Sequence, residues 1–531
     1  MKKHLSVSIK TSITIIFILL INVASAQSVS VKAVDSLIQK GETKQVIPYL
    51  EKQLAKQPEN EELLRLLGFH NIQRNNLQLG EKYYRDALKI NSKCARCYLN
   101  IGKIYGLQNK HKIAAEYIEK AIAADPADAF IFAARAQYKQ MQGDVSGALS
   151  DYNKAISLSP ETANYYIERG LYNARKGNFT LALNDLNKAI ALEPRNLIPY
   201  LNRSAIFYEL ENLDASCSDY QTAKRLMETQ NITDPELRQR ITDELEDFCN
   251  PEKANYYYQR GIACYNLKKY DEAIEFYNQG LKKFPGHALM LSFKGNALML
   301  KRNYETALVN YQLSLDNRAN LRVEAIQNQK LKDAGKAELE NFYQATLASV
   351  YFSIAECHLN LATNQEALFA INQALSILPK TSGLDEETYY NLRGNVYIAL
   401  TKYELALADF DKSIETNKNY AFAYVNRAIA KAGTVEKIKT TTYTLAGKFS
   451  KQPLQLTFSN KSVQKKYNSE INSALADCDM AIKLDQQLGF AYYIRGQLKQ
   501  FDNQKDYCLD LLTAKKLGQV VSAASLAGCK N

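Results

Sequence analysis

The stretch ANYYIERGLYNARKGNFTLALNDLNKAIALEPRN, residues 163–196, decides the fold of the chain. Gly177 stands near its middle and Pro194 near its end, which predicts a turn between two helices and a stop after the second helix. In such a helical hairpin, residues equidistant from the turn face each other. We therefore expect Gly170 to lie opposite Leu186, so that the missing side chain of one helix accommodates the bulky side chain of the other.

The pattern recurs with a strict period. Small and terminating residues return every 34 residues in the same phase, as alanines Ala87, Ala121, Ala155, Ala189 and Ala223 and as prolines Pro126, Pro160 and Pro194. One hairpin cannot bury its apolar face alone, so neighbouring hairpins must stack on it. The period and the order of large, small and terminating residues resemble the tetratricopeptide repeat (TPR) family.

This resemblance extends over nearly the whole chain after its first residues and implies an all-α superhelical solenoid. We predict about twelve helical hairpins in two arrays. The first array covers residues 27–250 and ends in a cap helix, and the second covers residues 254–531. In the second array a charged helix within 321–347 is either a spacer or an extended second helix. Residues 431–469 interrupt a later hairpin, and their alternating segments TTTYTLAGKF and LQLTF favour a β-hairpin.

Residues 1–26 have the features of a secretory signal peptide. Lys2, Lys3 and Lys10 precede an apolar run from Ile13 to Val23, and the small residues at 24–26 offer a cleavage site. The apolar run is too short for a comfortable membrane span. Gln27 rather than a cysteine follows the cleavage site, so the sequence does not indicate a lipid anchor. We therefore expect a soluble chain exported to the periplasm or secreted, with no membrane span.

Cysteines in the two caps share their surroundings. CSDYQTAKRL contains Cys217 and CLDLLTAKKL contains Cys508, and each is followed by a lone cysteine at the end of its cap, Cys249 or Cys529. Disulfides persist in the oxidising compartments to which exported chains go. We predict the disulfides Cys217–Cys249 and Cys508–Cys529, with buried thiols as the alternative; similar endings occur in exported bacterial TPR proteins.

The remaining cysteines carry a weaker signal. Cys94 and Cys97 form a CxxC pair at the start of a helix, where a lowered thiol pKa favours redox chemistry. A small structural disulfide or two idle thiols are the other interpretations. Cys264, Cys357 and Cys478 fall at packing positions of their repeats.

Arginine recurs at the seventh position of the repeat, as Arg135, Arg169, Arg203, Arg260, Arg393, Arg427 and Arg495. An aspartate lies sixteen residues after four of them (Asp151, Asp185, Asp219 and Asp409), and Asp510 lies fifteen after Arg495. These positions are related by the mirror symmetry of the hairpin, so we predict ion pairs between its two helices rather than a track for anions. Phe276 takes the acidic position opposite Arg260, whose role stays open.

The sequence favours no catalytic function. One of its five histidines lies in the signal peptide, and His70, His111, His287 and His358 share no spacing. HExxH, GxSxG and phosphate-binding loop motifs are absent from the sequence. We predict no enzyme activity, no cofactor and no metal site, although a histidine cluster formed only in the fold would change this interpretation.

TPR proteins bind ligands on a concave wall built from positions 2, 5, 9, 12 and 13 of their first helices, and the resemblance implies the same wall here. In the first array these positions hold Phe130, Gln137, Asn164, Ile167, Leu171, Ile198, Leu201 and Tyr208. The set suits an amphipathic helix or extended peptide, or else it packs neighbouring first helices together. Ile167 and Leu171 stand where the family's carboxylate clamp needs Lys and Asn, which excludes a receptor for chaperone tails.

The basic balance of the chain belongs to one segment. Residues 431–469 hold eight lysines and one glutamate, so they carry +7 of the +8 that remains when the three signal-peptide lysines are subtracted from +11. This concentration excludes a nucleic-acid-binding face elsewhere. Lys461, Lys465 and Lys466 either bind an anionic envelope polymer or membrane surface, or they keep a β-prone insertion from pairing edge to edge. The sequence thus predicts an exported scaffold that binds proteins or peptides, with anionic binding as the alternative.

Overall fold

The computed structural model describes residues 29–39, 42–328, 336–379, 385–435, 468–526 and 528–529. These residues form α-helices, one short 3₁₀ helix and connecting turns, and they contain no β-strand. The predicted signal peptide and most of the basic insertion, with its predicted β-hairpin and with Lys461, Lys465 and Lys466, lie outside the described residues.

The chain divides into two compact units, residues 1–243 and 244–531. The helices of the first unit, with the cap helix α13 that crosses the boundary, are α1 (Val29–Gln39), α2 (Val46–Lys56), α3 (Glu61–Gln73), α4 (Leu77–Ile90), α5 (Ala95–Leu107), α6 (His111–Ala124), α7 (Ala129–Met141), α8 (Val145–Leu158), α9 (Ala163–Arg175), α10 (Phe179–Leu192), α11 (Leu197–Glu209), α12 (Leu213–Thr229) and α13 (Pro235–Phe248). The 3₁₀ helix Thr43–Gln45 precedes α2. The pairs α3–α4, α5–α6, α7–α8, α9–α10 and α11–α12 form antiparallel hairpins.

The second unit continues the same architecture. Its helices are α14 (Ala254–Asn266), α15 (Tyr270–Lys283), α16 (Ala288–Leu300), α17 (Tyr304–Asp316), α18 (Arg318–Asn328), α19 (Lys336–Asn360), α20 (Asn364–Ile377), α21 (Glu386–Ala399), α22 (Tyr403–Thr416), α23 (Ala421–Val435), α24 (Asn468–Leu484), α25 (Gly489–Phe501), α26 (Tyr507–Lys516) and α27 (Ala523–Leu526). The pairs α14–α15, α16–α17, α19–α20, α21–α22, α23–α24 and α25–α26 are hairpins, and α23–α24 closes across the insertion.

Each hairpin packs a small residue against a large one, as the sequence predicts. The predicted contact between Gly170 and Leu186 is confirmed, because a Cβ atom on Gly170 would lie 3.4 Å from Leu186 Cγ. Hairpins in both units also use larger partners: a Cβ atom on Gly68 would lie 2.9 Å from the Tyr84 ring, and one on Gly261 would lie 2.2 Å from the Tyr277 ring. The recurring alanines of the first unit are fully buried beside these contacts.

The turns of the hairpins require a left-handed backbone. Gly143 and Gly177 supply it with φ of 80° and 78°, a conformation in which glycine pays no steric penalty. Other hairpins place residues with side chains at the same position, namely Asn75, Asn109, Glu211, Lys268, Arg302, Ala362, Thr401 and Asn503. Thr401 is the least suited of these, because its β-branched side chain crowds the backbone at φ 59°.

The predicted charged segment within 321–347 is divided between two helices. The short helix α18 packs against α16 and α19, with Leu321 fully buried. Glu324 of α18 accepts hydrogen bonds from the backbone N–H groups of Ala288 and Leu289 at 3.0 and 2.8 Å, and so caps the start of α16. Helix α19 begins at Lys336 and extends the first helix of the next hairpin. The extension therefore falls on a first helix and not on a second one.

Candidate binding faces of the first helices

The predicted arginine–aspartate pairs are confirmed. Nε and Nη2 of Arg169 donate to the two carboxylate oxygens of Asp185 at 2.9 and 2.6 Å, across the hairpin α9–α10. The same bidentate geometry joins Arg135–Asp151, Arg203–Asp219, Arg393–Asp409 and Arg495–Asp510. Because the buried aspartates neutralise these arginines, the row does not form a track for anions.

A further contact makes each arginine a link between neighbouring hairpins. Nη1 of Arg169 donates to Asn153 Oδ1 at 2.6 Å, on the second helix of the preceding hairpin. Equivalent contacts join Arg135 to Glu119, Arg203 to Asn187, Arg393 to Asn372, Arg427 to Asp411 and Arg495 to Asp479. We call this three-way contact the arginine bridge. Sequence reasoning missed it, although the acceptor lies at a constant repeat position in most cases.

Three residues around the insertion and the cap depart from the sequence interpretation. Arg427 pairs with Asp477, a partner that the insertion moves out of the repeat spacing. Lys431, counted among the basic insertion, lies 2.7 Å from the same carboxylate, so its charge is already balanced within the hairpin. Arg260, left open by the sequence, is buried and donates to the carbonyl oxygen of Phe248 at 2.8 Å, where α13 ends.

Disulfide bonds occur in both units. Cys508 and Cys529 are joined with a Cα–Cα distance of 5.4 Å, and Cys94 and Cys97 with one of 5.3 Å. Of the interpretations of the CxxC pair, the Cys94–Cys97 bond supports the structural disulfide. Cys217 and Cys249 are both disulfide-bonded, and their mutual pairing stays a prediction.

The other cysteines and the histidines serve separate local contacts. Cys357 and Cys478 are fully buried, as expected of packing positions. His287 Nδ1 lies 3.0 Å from Glu324 Oε2. The Nδ1 atoms of His111 and His358 lie within hydrogen-bonding distance of the hydroxyl groups of Tyr138 and Thr363, respectively. Within the described residues the group with metal-ligating spacing is Glu61 with Cys94 and Cys97, whose sulfurs are bonded to each other.

The first-helix face of the first unit consists of the side chains that α5, α7, α9 and α11 turn away from their second helices. At its centre Glu168 Oε1 accepts hydrogen bonds from Gln137 Nε2 at 2.8 Å and Asn164 Nδ2 at 3.0 Å. Burial raises the pKa of Glu168 to about 7, against the opposing effects of these amides and of Lys103. Its Oε2 is buried without a hydrogen-bond partner in the described part of the chain.

Positive charge covers one edge of this face. Lys103 Nζ and the Arg96 guanidinium lie 4.9 and 4.5 Å from the centre of the Phe130 ring. Burial lowers the pKa of Lys103 to about 8, although the nearby Glu168 opposes the shift. Phe130, predicted as part of an apolar wall, is therefore stacked under two cations.

The eight residues predicted for this wall divide into two groups. Ile167 and Leu201 are only 5% and 6% exposed, so the packing interpretation applies to them. Ile167 belongs to the hairpin core with Leu186. The others are half-buried and include both amides that hold Glu168: Phe130, Gln137, Asn164, Leu171, Ile198 and Tyr208. Two of the eight predicted residues thus support the fold, and the other six are half-buried at the face.

The second unit has a corresponding first-helix face on α14, α16, α19, α21, α23 and α25, which contact one another in sequence. Glu356 of α19 is half-buried there, and burial raises its pKa to about 7. It occupies the same repeat position as Gln137 of the first unit. Sequence reasoning applied that position to the first array alone and missed this glutamate.

Aromatic side chains adjoin Glu356. Phe352 precedes it by one helical turn and packs against Tyr389 with ring centres 4.8 Å apart. Ser353 Oγ donates to Asn296 Oδ1 at 3.4 Å and links α19 to α16 on the same side. The face therefore combines one desolvated carboxylate with ring surfaces.

None of the helices in the described residues combines the length and low polarity that a bilayer span requires. Stacked hairpins of constant length define the class of helical-repeat solenoid proteins. Family models described as tetratricopeptide repeats match residues 95–128, 133–196, 254–287 and 387–420. The chain is a tetratricopeptide repeat protein.

Solved structures of low sequence identity are similar to parts of the chain. MamA is 21% identical over 32% of this chain and 98% of its own, with a TM-score of 0.26. YrrB, described as a TPR protein with an unusual peptide-binding site, is 18% identical over 36% of this chain and 97% of its own, with a TM-score of 0.26. PilF of Pseudomonas aeruginosa is 16% identical over 44% and 97%, with a TM-score of 0.30. No curated protein matches the chain.

Proposed function

We propose that this protein is an exported scaffold that binds segments of partner proteins on the first-helix face of its first unit. The TPR fold is itself typical of protein–protein interaction. The half-buried apolar side chains of Leu171 and Ile198 stand beside the amides of Gln137 and Asn164 on this face. Such a mixture suits a peptide, whose apolar side chains and backbone polar groups both need partners.

The observation that carries the proposal is the incomplete hydrogen bonding of Glu168. Its Oε1 accepts two amide hydrogen bonds, while Oε2 is buried without a partner in the described residues. A buried acceptor without a donor costs free energy. If the half-buried Glu168 side chain turns outward, a backbone N–H of a bound segment supplies the donor and recovers that cost, which favours an occupied face over an empty one.

Export is supported by two independent features. The sequence of residues 1–26 has the order of charge, apolar run and small residues typical of a signal peptide. The described residues contain disulfide-bonded cysteines at 94, 97, 217, 249, 508 and 529. Disulfides of this number are typical of oxidising compartments.

Site-specific photo-crosslinking in the native host tests the binding face. A photoreactive phenylalanine analogue replaces Leu171 on the first helix of one hairpin or, as the matched control, Leu181 on its second helix, which is 54% exposed. We expect a discrete crosslinked protein band from position 171 and none from position 181. Equal crosslinking at both positions, or crosslinking at 181 alone, would reject the face.

The alternative function, binding of an anionic envelope surface by the basic insertion, stays a prediction. With Lys431 paired to Asp477, the remaining seven lysines of residues 431–469 carry the charge. Replacing Lys461, Lys465 and Lys466 with Gln is expected to weaken binding to isolated envelopes and flatten its salt dependence, without changing the melting temperature. Unchanged binding with increased aggregation would favour the role of the lysines in preventing edge pairing.

A further inference from the structure

Glu356 is the carboxylate on the first-helix face of the second unit that the fold leaves without a counterion. Within the described residues its carboxylate forms no ion pair. Burial raises the pKa of the phenols of Tyr265, Tyr304, Tyr311, Tyr389 and Tyr420, and the negative charge of Glu356 contributes to each shift. Aromatic residues from several elements thus lie within its electrostatic reach.

Comparison with Glu168 shows what is missing. One turn before Glu168, Asn164 donates a hydrogen bond to its carboxylate, and Gln137 donates another from the adjacent first helix. One turn before Glu356 the residue is Phe352, which packs on Tyr389 instead. The first unit supplies one oxygen of its carboxylate with two amide donors, whereas an aromatic side chain takes the place of the first of these amides beside Glu356.

A carboxylate beside ring faces is the chemistry that recognises organic cations. The carboxylate supplies the counter-charge, and aromatic faces attract ammonium or guanidinium groups that have lost part of their water. Ring edges are present on the same face, where Tyr265 and Phe293 meet with centres 6.3 Å apart. An apolar ligand alone would leave the carboxylate desolvated, so charge complementarity decides the class of ligand.

We propose that Glu356 and its neighbouring aromatic side chains bind a lysine or arginine side chain of a protein partner. The proposal goes beyond the peptide-binding face of the first unit and rests on the scaffold function only in assigning the cation to a protein. The chain carries a net charge of +11, so general electrostatic attraction does not draw basic segments to it. Recognition must therefore be local.

Saturation-transfer NMR on the signal-peptide-free chain tests the site with small probes. The probes are Nα-acetyl-arginine amide and Nα-acetyl-lysine amide, with the citrulline analogue as the uncharged control. The variant is Glu356→Gln, which keeps the shape of the side chain, and Glu366→Gln removes an exposed glutamate of the same hairpin. Circular dichroism melting verifies that both variants fold.

At pH 8 we expect saturation transfer to the arginine or lysine probe, reduced at least about threefold by Glu356→Gln and unchanged by Glu366→Gln. Equal signals from wild type and Glu356→Gln, or a citrulline signal as strong as the arginine signal, would overturn the proposal. Failure here leaves the crosslinking at position 171 untouched, because that position lies in the other unit.

Discussion

The hairpins from α5 to α12 and the hairpins α14–α15 and α16–α17 build the same motif by different means. In the first unit the arginine bridges join successive hairpins from α5 to α12, and the glycine at the eighth repeat position faces a leucine in α9–α10. In the hairpins α14–α15 and α16–α17 of the second unit, glycine faces a tyrosine ring and the bridge is missing, since Phe276 and Asn310 take the place of the aspartate. The comparison shows that this repeat tolerates the loss of the arginine bridge where glycine packs against a tyrosine ring.

The largest difference should appear when the packing glycines gain a methyl group. A Cβ atom on Gly261 would lie 2.2 Å from the Tyr277 ring, whereas one on Gly170 would meet its nearest atom, Asp185 Cβ, at 3.2 Å. We expect Gly261→Ala to lower the free energy of unfolding by about 3 kcal/mol. Gly170→Ala should change it by less than about 1 kcal/mol, because the gain in helix propensity offsets mild crowding. Denaturant unfolding measures both, and equal losses would contradict the comparison.

The arginine bridge gives the next test. Arg169→Ala leaves Asp185 buried and unpaired, which should cost about 2 kcal/mol of stability. Lys294 stands at the same repeat position in α16, where Asn310 replaces the acid, so Lys294→Ala should cost less than about 0.5 kcal/mol.

A charge swap controls the assignment of that effect. Arg169→Asp combined with Asp185→Arg should be less damaging than Arg169→Asp alone, because it restores opposite charges across the hairpin. A double variant no more stable than the single one would show that the pairing does not stabilise the fold.

Titration of Glu356 sharpens the comparison of the two faces. Burial raises its pKa from 4.5 to about 7, so the folded state holds the proton more tightly than the unfolded state. The contribution of Glu356 to the free energy of unfolding is therefore full below pH 4.5 and is lost as the pH rises towards 7 and above. Glu356→Gln should therefore raise the free energy of unfolding at pH 8 on the order of 1–2 kcal/mol and leave it nearly unchanged at pH 4. A gain that is the same at both pH values would argue against desolvation.

The smallest effect concerns the turns. Thr401 adopts φ 59° in the second unit, whereas Gly177 supplies the equivalent turn in the first. Thr401→Gly should stabilise the protein by about 1 kcal/mol through relief of steric strain. Asn109→Gly, at φ 58°, should change stability by less than half as much, because asparagine tolerates this conformation. Thermal melting at matched conditions distinguishes the two.

The sequence sufficed for the features that repeat. The period placed the hairpins, the contact of Gly170 with Leu186 and five of the arginine–aspartate pairs, because all depend on distances within one unit of constant length. The period did not identify Asp477 as the partner of Arg427, because the insertion at residues 431–469 separates the two residues by more than the repeat spacing. It also did not predict the contact of Arg169 with Asn153, which depends on how one hairpin stacks on the next.

The candidate site was harder for a related reason. Repeat position identifies which side chains lie on the first-helix face, but not how deeply each is buried or what surrounds it. For Ile167 and Leu201 the sequence left open whether they line the face or pack the first helices together, and their burial favours packing. Nothing in the sequence distinguishes Glu356 from the many glutamates that are exposed in the fold. The tyrosines whose pKa its charge raises include Tyr265, Tyr311 and Tyr389, which lie on α14, α17 and α21 and are distant in the chain.

The arginine bridge has a mechanical consequence. A stack of identical modules melts or stretches according to the ratio of coupling between modules to stability within each. Bridges from α5 to α12 and again from α19 to α26 add polar coupling between hairpins, whereas the hairpins α14–α15 and α16–α17 share an apolar core that includes Tyr257, Tyr277 and Met290. Under tension, added salt should therefore weaken the bridged series more than the junction between these two hairpins.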